Sequence, residues 1–305
     1  MFKKNLRNIG ILVCIFLTLA VAGCSKNDAN KGSSEGNLEN NKEKSLAEEL
    51  DYKITGIDAG AGIMEATEKC IEDYGLDFKA QTSSGAVMTQ ALGDAIENKK
   101  PIIVTAWTPH WKFAKYDLKY LEDPKGSFGG EEKIHTIANS KLKEKNPEAY
   151  KILDQFYWKA EDMESVMLEI NDGKDIDKAV SDWVNNNKDK VSEWTKGVEK
   201  VDGKKVKLAY VAWDSEIAST NVIGKVLEDM GHDVTLTQVE VGPMWASVAT
   251  GDSDAIVAAW LPGTHKKYMI DYKDQIEDLG PNLEGAKIGL AVPTYVEINS
   301  IEDLK

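Results

Sequence analysis

The chain has 305 residues, with 37 lysines and arginines against 51 aspartates and glutamates, a formal net charge of −14. So acidic a surface repels nucleic acid and anionic lipid headgroups, which excludes a nucleic-acid binder and suits the solvated exterior of an exported protein. A short apolar stretch near the N-terminus, Ile9 to Ala22, falls below the roughly 20 residues a membrane-spanning helix needs.

In chain order, Lys3, Lys4 and Arg7 followed by that apolar run have the shape of a secretory leader over 1–23. The leader closes on Val21-Ala22-Gly23-Cys24, which resembles the lipobox of bacterial lipoproteins, and so predicts lipidation at Cys24. The alternative is a plain leader with a chance cysteine. Two or more acyl chains would give stable anchoring where one would not. Residues 24–50 are Asn, Lys, Gly, Ser and Glu with almost nothing apolar, a composition too polar to offset its ordering entropy, and read as a flexible tether. Cys14 would leave with the leader, Cys24 would carry lipid, and Cys70 stands alone in a helical pattern, so no disulfide is expected in the mature chain.

The remainder contains one unit used twice. The first copy predicts strands 52–57, 77–82 and 101–106 around helices 63–74 and 86–97. The second predicts strands 206–212, 233–239 and 254–259 around helices 216–230 and 243–250. Asp73-Tyr74-Gly75 and Asp229-Met230-Gly231 mark helix ends. Each copy closes with a tryptophan and a proline, Val-Thr-Ala-Trp-Thr-Pro-His at 104–110 and Val-Ala-Ala-Trp-Leu-Pro-Gly at 257–263. Alternating strands and helices imply an α/β architecture, a largely parallel sheet in each of two lobes. Residues 139–203 between the copies are helical in pattern, a helix over about 265–279 and a strand over 287–292 follow, and 298–305 read as a tail crossing back to the first lobe.

The chemistry-bearing residues gather at the strand ends, where open α/β sheets bind ligands. Trp107 and Trp260 are repeat partners there, and Trp213 follows the first strand of the second copy. A quaternary ammonium has no N–H to donate, so only shape and the negative faces of aromatic rings can hold it, indole best of all. The bland alternative for each is a core aromatic, which is the expectation for Trp158, Trp183, Trp194 and Trp245, while Trp111 is ambiguous. The loop Ile57-Asp58-Ala59-Gly60-Ala61-Gly62-Ile63 opens a helix whose free N–H groups suit an anion. Its G-x-G lacks the third glycine of a dinucleotide fold, Glu65 standing there, so a small carboxylate on the amides of Gly62 and Ile63 fits better than a pyrophosphate. His265, near Trp260 in sequence, could donate to the same carboxylate or be a lone surface histidine; unperturbed, it would titrate near pH 6.5. Asp58, Asp214 and Glu216 line the rim loops, where carboxylates could cap helices or stiffen the tryptophans. No metal spacing, P-loop or nucleophile elbow is present, and neither a cofactor nor an enzyme is implied.

With those residues assembled, the sequence resembles the glycine betaine-binding lipoproteins of osmoprotective ABC importers, most densely at 56–64, 106–111, 209–221 and 259–266. The resemblance implies a type II-like periplasmic-binding-protein fold with the ligand between the lobes. It also implies a tryptophan prism of Trp107, Trp213 and Trp260 around a trimethylammonium group. The ligand's carboxylate would lie on the amides of Gly62 and Ile63 and on His265. Its partners would be a quaternary-ammonium solute, an ABC permease with its ATPases, and the membrane through a lipid on Cys24. The expected lobes are 51–138 and 204–297, with 139–203 packing on them. Readings from other classes are a secreted cofactor-dependent α/β enzyme, which the broken G-x-G counts against, and a chemoreceptor or adhesion module that does not transport.

Overall fold

In the computed structural model, which describes residues 44–305, the chain begins with one turn of helix, α1 (Leu46–Glu49), capped by Ser45. Leu50 behind it is buried, so the end of the expected tether is anchored to the core. The leader, Cys24 and the rest of the tether lie outside the described residues.

The first βαβαβ unit follows in the expected order: β1 (Lys53–Thr55), α2 (Gly62–Tyr74), β2 (Lys79–Gln81), α3 (Gly85–Glu97) and β3 (Val104–Thr108). Next come α4 (Lys112–Lys115), β4 (Leu118–Tyr120) and β5 (Glu132–Asn139), and then five helices: α5 (Leu142–Lys145), α6 (Pro147–Gln155), α7 (Ala160–Asn171), α8 (Ile176–Asn186) and α9 (Lys188–Trp194). The second unit comprises β6 (Lys204–Tyr210), α10 (Asp214–Asp229), β7 (His232–Gln238), α11 (Val241–Thr250) and β8 (Ala255–Leu261), followed by α12 (Lys266–Asp271), β9 (Ile276–Pro293) and a 3-10 turn (Ile301–Leu304).

Local chemistry accounts for many boundaries. Asn146 accepts from the Ala149 N–H ahead of Pro147, which needs no partner for its missing N–H. Gly75 closes α2 at φ +62°, and Gly231 follows α10 at φ +92°, where a Cβ would lie 1.9 Å from the Val201 carbonyl oxygen. Both are helix ends predicted from the repeat.

The strands run β2-β1-β3-β9-β5-β8-β6-β7, with β4 also on β9. Three parallel strands stand at each end of the sheet, β2-β1-β3 and β7-β6-β8. β9 and β5 join them in antiparallel register. β9 is the largest departure from the sequence expectation. The helix expected over 265–279 stops at Asp271, and the strand expected over 287–292 begins eleven residues earlier. Gly280, Pro281 and Gly285 read as breakers, but the pairing with β5 shifts register through this stretch and absorbs them. β5 lies within the span expected for the first lobe, yet it pairs with β8 of the second unit. The tail packs on the first unit: Glu122 bridges to Ser300, and Ile301 and Leu304 are buried. The crossing between units is therefore made upstream, by β9.

The expected core tryptophans form an aromatic cluster: Trp158 meets Trp183 edge-on at 5.6 Å, Trp183 stacks on Trp194 at 5.8 Å, and Phe156 packs against both Trp158 and Trp194.

Candidate functional site

The two Trp-Pro strand ends meet. Trp107, on β3, and Trp260, on β8, line one cavity together with Trp213, the N-cap of α10. Ile57, Ala61, Gly62, Ile63, Ser215, Thr264 and Ile288 complete its wall. The three indoles are 4–7 % exposed, aromatic surface withdrawn from water yet facing a cavity. Such an enclosure of π faces stabilises a cation that cannot hydrogen-bond.

Each indole is fixed by its N–H. Trp107 Nε1 donates to Ser215 Oγ at 3.3 Å, Trp213 Nε1 to Asp58 Oδ2 at 2.9 Å, and Trp260 Nε1 to Glu216 Oε1 at 3.1 Å. The first two bonds cross between the units: Trp107 reaches α10 of the second, and Trp213 reaches the loop before α2 of the first. The stiffening role open to Asp58 and Glu216 in the sequence is the one their geometry gives them; Ser215 carried no sequence signal. Burial pushes the Glu216 carboxyl up to about 8, against the lowering effect of its hydrogen bonds.

Gly62 and Ile63 are the first two residues of α2, and the N-cap, Ala61, supplies no side-chain acceptor. Neither of their N–H groups meets an acceptor among the described residues, so both are available to an anion at the positive end of the helix. Gly62 is required by packing, since a Cβ there would lie 2.7 Å from both Thr264 O and Thr264 Cγ2. The turn carrying Thr264 is pinned by Glu132, whose Oε1 accepts from the N–H groups of Gly263 and Thr264 at 2.8 and 2.6 Å. Sequence reasoning missed Glu132, which is more than 120 residues from the turn it holds.

His265 is placed behind this wall. It does not line the cavity, is 1 % exposed, and stands edge-on to Trp245 at 5.6 Å. Its Nδ1 accepts from the Trp260 backbone N–H at 3.0 Å, so the neutral ring carries its proton on Nε2. Nε2 is buried and has no acceptor among the described residues. Burial drives its pKa from the unperturbed 6.5 down to about 3, so the ring stays neutral across the physiological range.

A buried polar group backs Trp107. His110 meets that ring edge-on at 4.6 Å, and its Nε2 lies 3.3 Å from Asp214 Oδ2. Burial brings His110 down to about 3, whereas the donors around Asp214 outweigh its burial and hold that carboxyl low. Trp111, ambiguous in sequence, is buried beside His110 and Tyr116. Among the described residues no cluster of side chains could hold a metal ion, and no helix is long and apolar enough to cross a membrane.

Residues 27–186 and 204–305 match the family described as the substrate binding domain of ABC-type glycine betaine transport systems. The glycine betaine/carnitine transport binding protein GbuC of Listeria monocytogenes (serotype 1/2a, strain 10403S) is 54 % identical, over 99 % of this chain and 98 % of its own. Among solved structures, lactococcal OpuAC in its closed form with glycine betaine is 44 % identical, over 48 % of this chain and 58 % of that one, with a TM-score of 0.44. The ProX protein of Borrelia burgdorferi is 36 % identical, over 50 % and 58 % of the two chains, with a TM-score of 0.46.

Proposed function

Because this chain belongs to the family of substrate-binding domains of ABC-type glycine betaine transport systems, we propose that its tryptophan cavity holds the trimethylammonium group of glycine betaine or a related solute, captured outside the cytoplasm for import. The observation that carries the reading is the convergence of Trp107, Trp213 and Trp260, drawn from both units, on one cavity that also reaches the free amides of Gly62 and Ile63. The indoles surround the cation. The amides receive the carboxylate, and the Nε2–H of His265, buried without an acceptor among the described residues and set outside the cavity lining, is the further donor proposed for it.

The two units, near the expected lobes 51–138 and 204–297, act as jaws. Trp107–Ser215 and Trp213–Asp58 span them, so ligand contacts and inter-unit contacts form together, and a ligand that touches both units favours the closed form. The closed form is what a permease would recognise, its cytoplasmic ATPases supplying the energy. The Cys24 lipid would hold the protein at the membrane. The role is binding without chemistry on the ligand, and the wall suits it: three indoles, apolar side chains, backbone amides and the hydroxyls of Ser215 and Thr264.

Calorimetric titration of the full chain with glycine betaine, carnitine, choline, proline betaine and glycine tests the reading. Binding of the quaternary ammonium solutes and not of glycine supports it. Equal binding of glycine, or no binding of any methylated amine, refutes it.

A further inference from the structure

Lys112 opens α4, two residues after the histidine of the first Trp-Thr-Pro-His turn, and is completely buried. Its Nζ lies 3.9 Å from the centroid of the Trp107 ring and meets no hydrogen-bond acceptor among the described residues. Lys112 does not line the cavity, so its amine approaches Trp107 from outside the cage. Groups from three elements face it. On its own segment, His110 accepts the Lys112 backbone N–H at 3.1 Å, and the Phe113 ring is 5.7 Å away. On α10, Asp214 lies beside His110 and acts on the amine through space. On α7, Glu164 lies near the His110 backbone. None of these carboxylates makes an ion pair with Nζ. Nζ stands instead over the face of a ring that the ligand also needs.

A ring polarised by one cation is a poorer host for a second, and the two charges repel. We propose that Lys112 is an ionisable specificity element backing the cage: a protonated Lys112 and the ligand's ammonium compete for Trp107, so that binding a quaternary ammonium releases the Lys112 proton. The inference rests on the cation-cage reading above. A cation held within about 6 Å of the ring centroid would be at most roughly 10 Å from Nζ, which at an effective dielectric of about 20 amounts to a tenfold or somewhat larger effect. Burial pulls the amine well below the ordinary lysine range, against the raising influence of Asp214, which makes its protonation responsive to a second cation at the same ring.

Protonated Lys112 opposes the ligand, so affinity rises with pH until the amine is neutral and then levels. His110 and His265, both lowered to about 3, stay outside a window of pH 6–9, but Glu216, raised to about 8, titrates within it beside Trp260. The test is calorimetry of the full chain with glycine betaine across that window, in two buffers of different ionisation enthalpy. The expected result is proton release by the parent and by Glu216→Gln, with affinity rising about tenfold with pH. Lys112→Met should bind with the parent's high-pH affinity throughout, and Lys112→Arg about tenfold more weakly throughout. Proton release that vanishes in Glu216→Gln, or a pH slope that persists in Lys112→Met, overturns the proposal while leaving the cage intact. Absence of betaine binding at every pH overturns the cage reading as well. If Lys112→Met does not fold, the proton count of the parent and of Glu216→Gln still decides.

Discussion

Replacing Trp213 by Phe keeps an aromatic face in the cavity and removes the N–H that reaches Asp58 at 2.9 Å. A hydrogen bond to a charged group contributes about 1.5–3 kcal/mol when buried; here Asp58 is half-buried, so about 1 kcal/mol is the appropriate figure. The smaller ring covers less of the ligand, a loss of about 1 kcal/mol at about 25 cal/mol per Å². It is also a weaker π host, by about 0.5 kcal/mol. Trp213→Phe should therefore weaken glycine betaine binding by about 2.5 kcal/mol, roughly sixtyfold. Asp58→Ala leaves all three rings in place and should cost about 1 kcal/mol. Because the two side chains share one bond, the double variant should be little worse than Trp213→Phe alone, with a coupling of about 1 kcal/mol in calorimetric titrations of all four proteins. Strict additivity, a coupling below about 0.3 kcal/mol, would refute the claim that this inter-unit bond contributes to holding the ligand.

Three further outcomes are expected. His265→Ala should weaken betaine binding by about 1–3 kcal/mol through loss of the Nε2–H donor and barely affect choline, which has no carboxylate; the loss should be the same at pH 5.5 and pH 8 because the ring is neutral at both. Equal losses for the two ligands would show that His265 only shapes the wall. His110 and His265, depressed to about 3, are stabilising when neutral and lose that contribution as pH falls below about 6.5, whereas Glu216, raised to about 8, gains stability in the same direction; the parent should therefore lose roughly 2 kcal/mol more than His265→Gln between pH 7 and pH 5 in urea unfolding. Gly62→Ala, which drives a Cβ to 2.7 Å from the Thr264 carbonyl, should cost about 1–3 kcal/mol of betaine affinity, checked by the same titrations.

The repeated βαβαβ unit and the meeting of its two Trp-Pro ends were legible because periodicity, helix-ending glycines and the Trp-Pro strings are local signals. β9 was not: Gly280, Pro281 and Gly285 mimic turns, and only its pairing with β5 makes 276–293 one strand. The partners of the indoles were legible as types, carboxylates on rim loops, but not as pairs, because Trp107 and Ser215 are 108 positions apart. Lys112 sits in Lys-Phe-Ala-Lys, which reads as a solvated turn, and nothing local announces that its first lysine is sealed beneath Trp107. The position of His265 beside Trp260 could be read from spacing; its neutrality could not, since burial by Trp245 and Tyr268 is a property of the assembled wall.

β9 constrains the mechanics of the molecule. Its first part, through Ala286, is laddered to β5, and its second, from Lys287, to β3 and β4. Adjacent residues of one strand thus belong to different halves of the sheet, with Gly285 at φ +78° just before the handover. The halves cannot slide apart without breaking a ladder, but they can rotate about the strand while both ladders stay intact. Such a joint has a soft axis at the backbone of 285–287, and the Trp107–Ser215 and Trp213–Asp58 bonds across the cleft act as the catch that holds it shut.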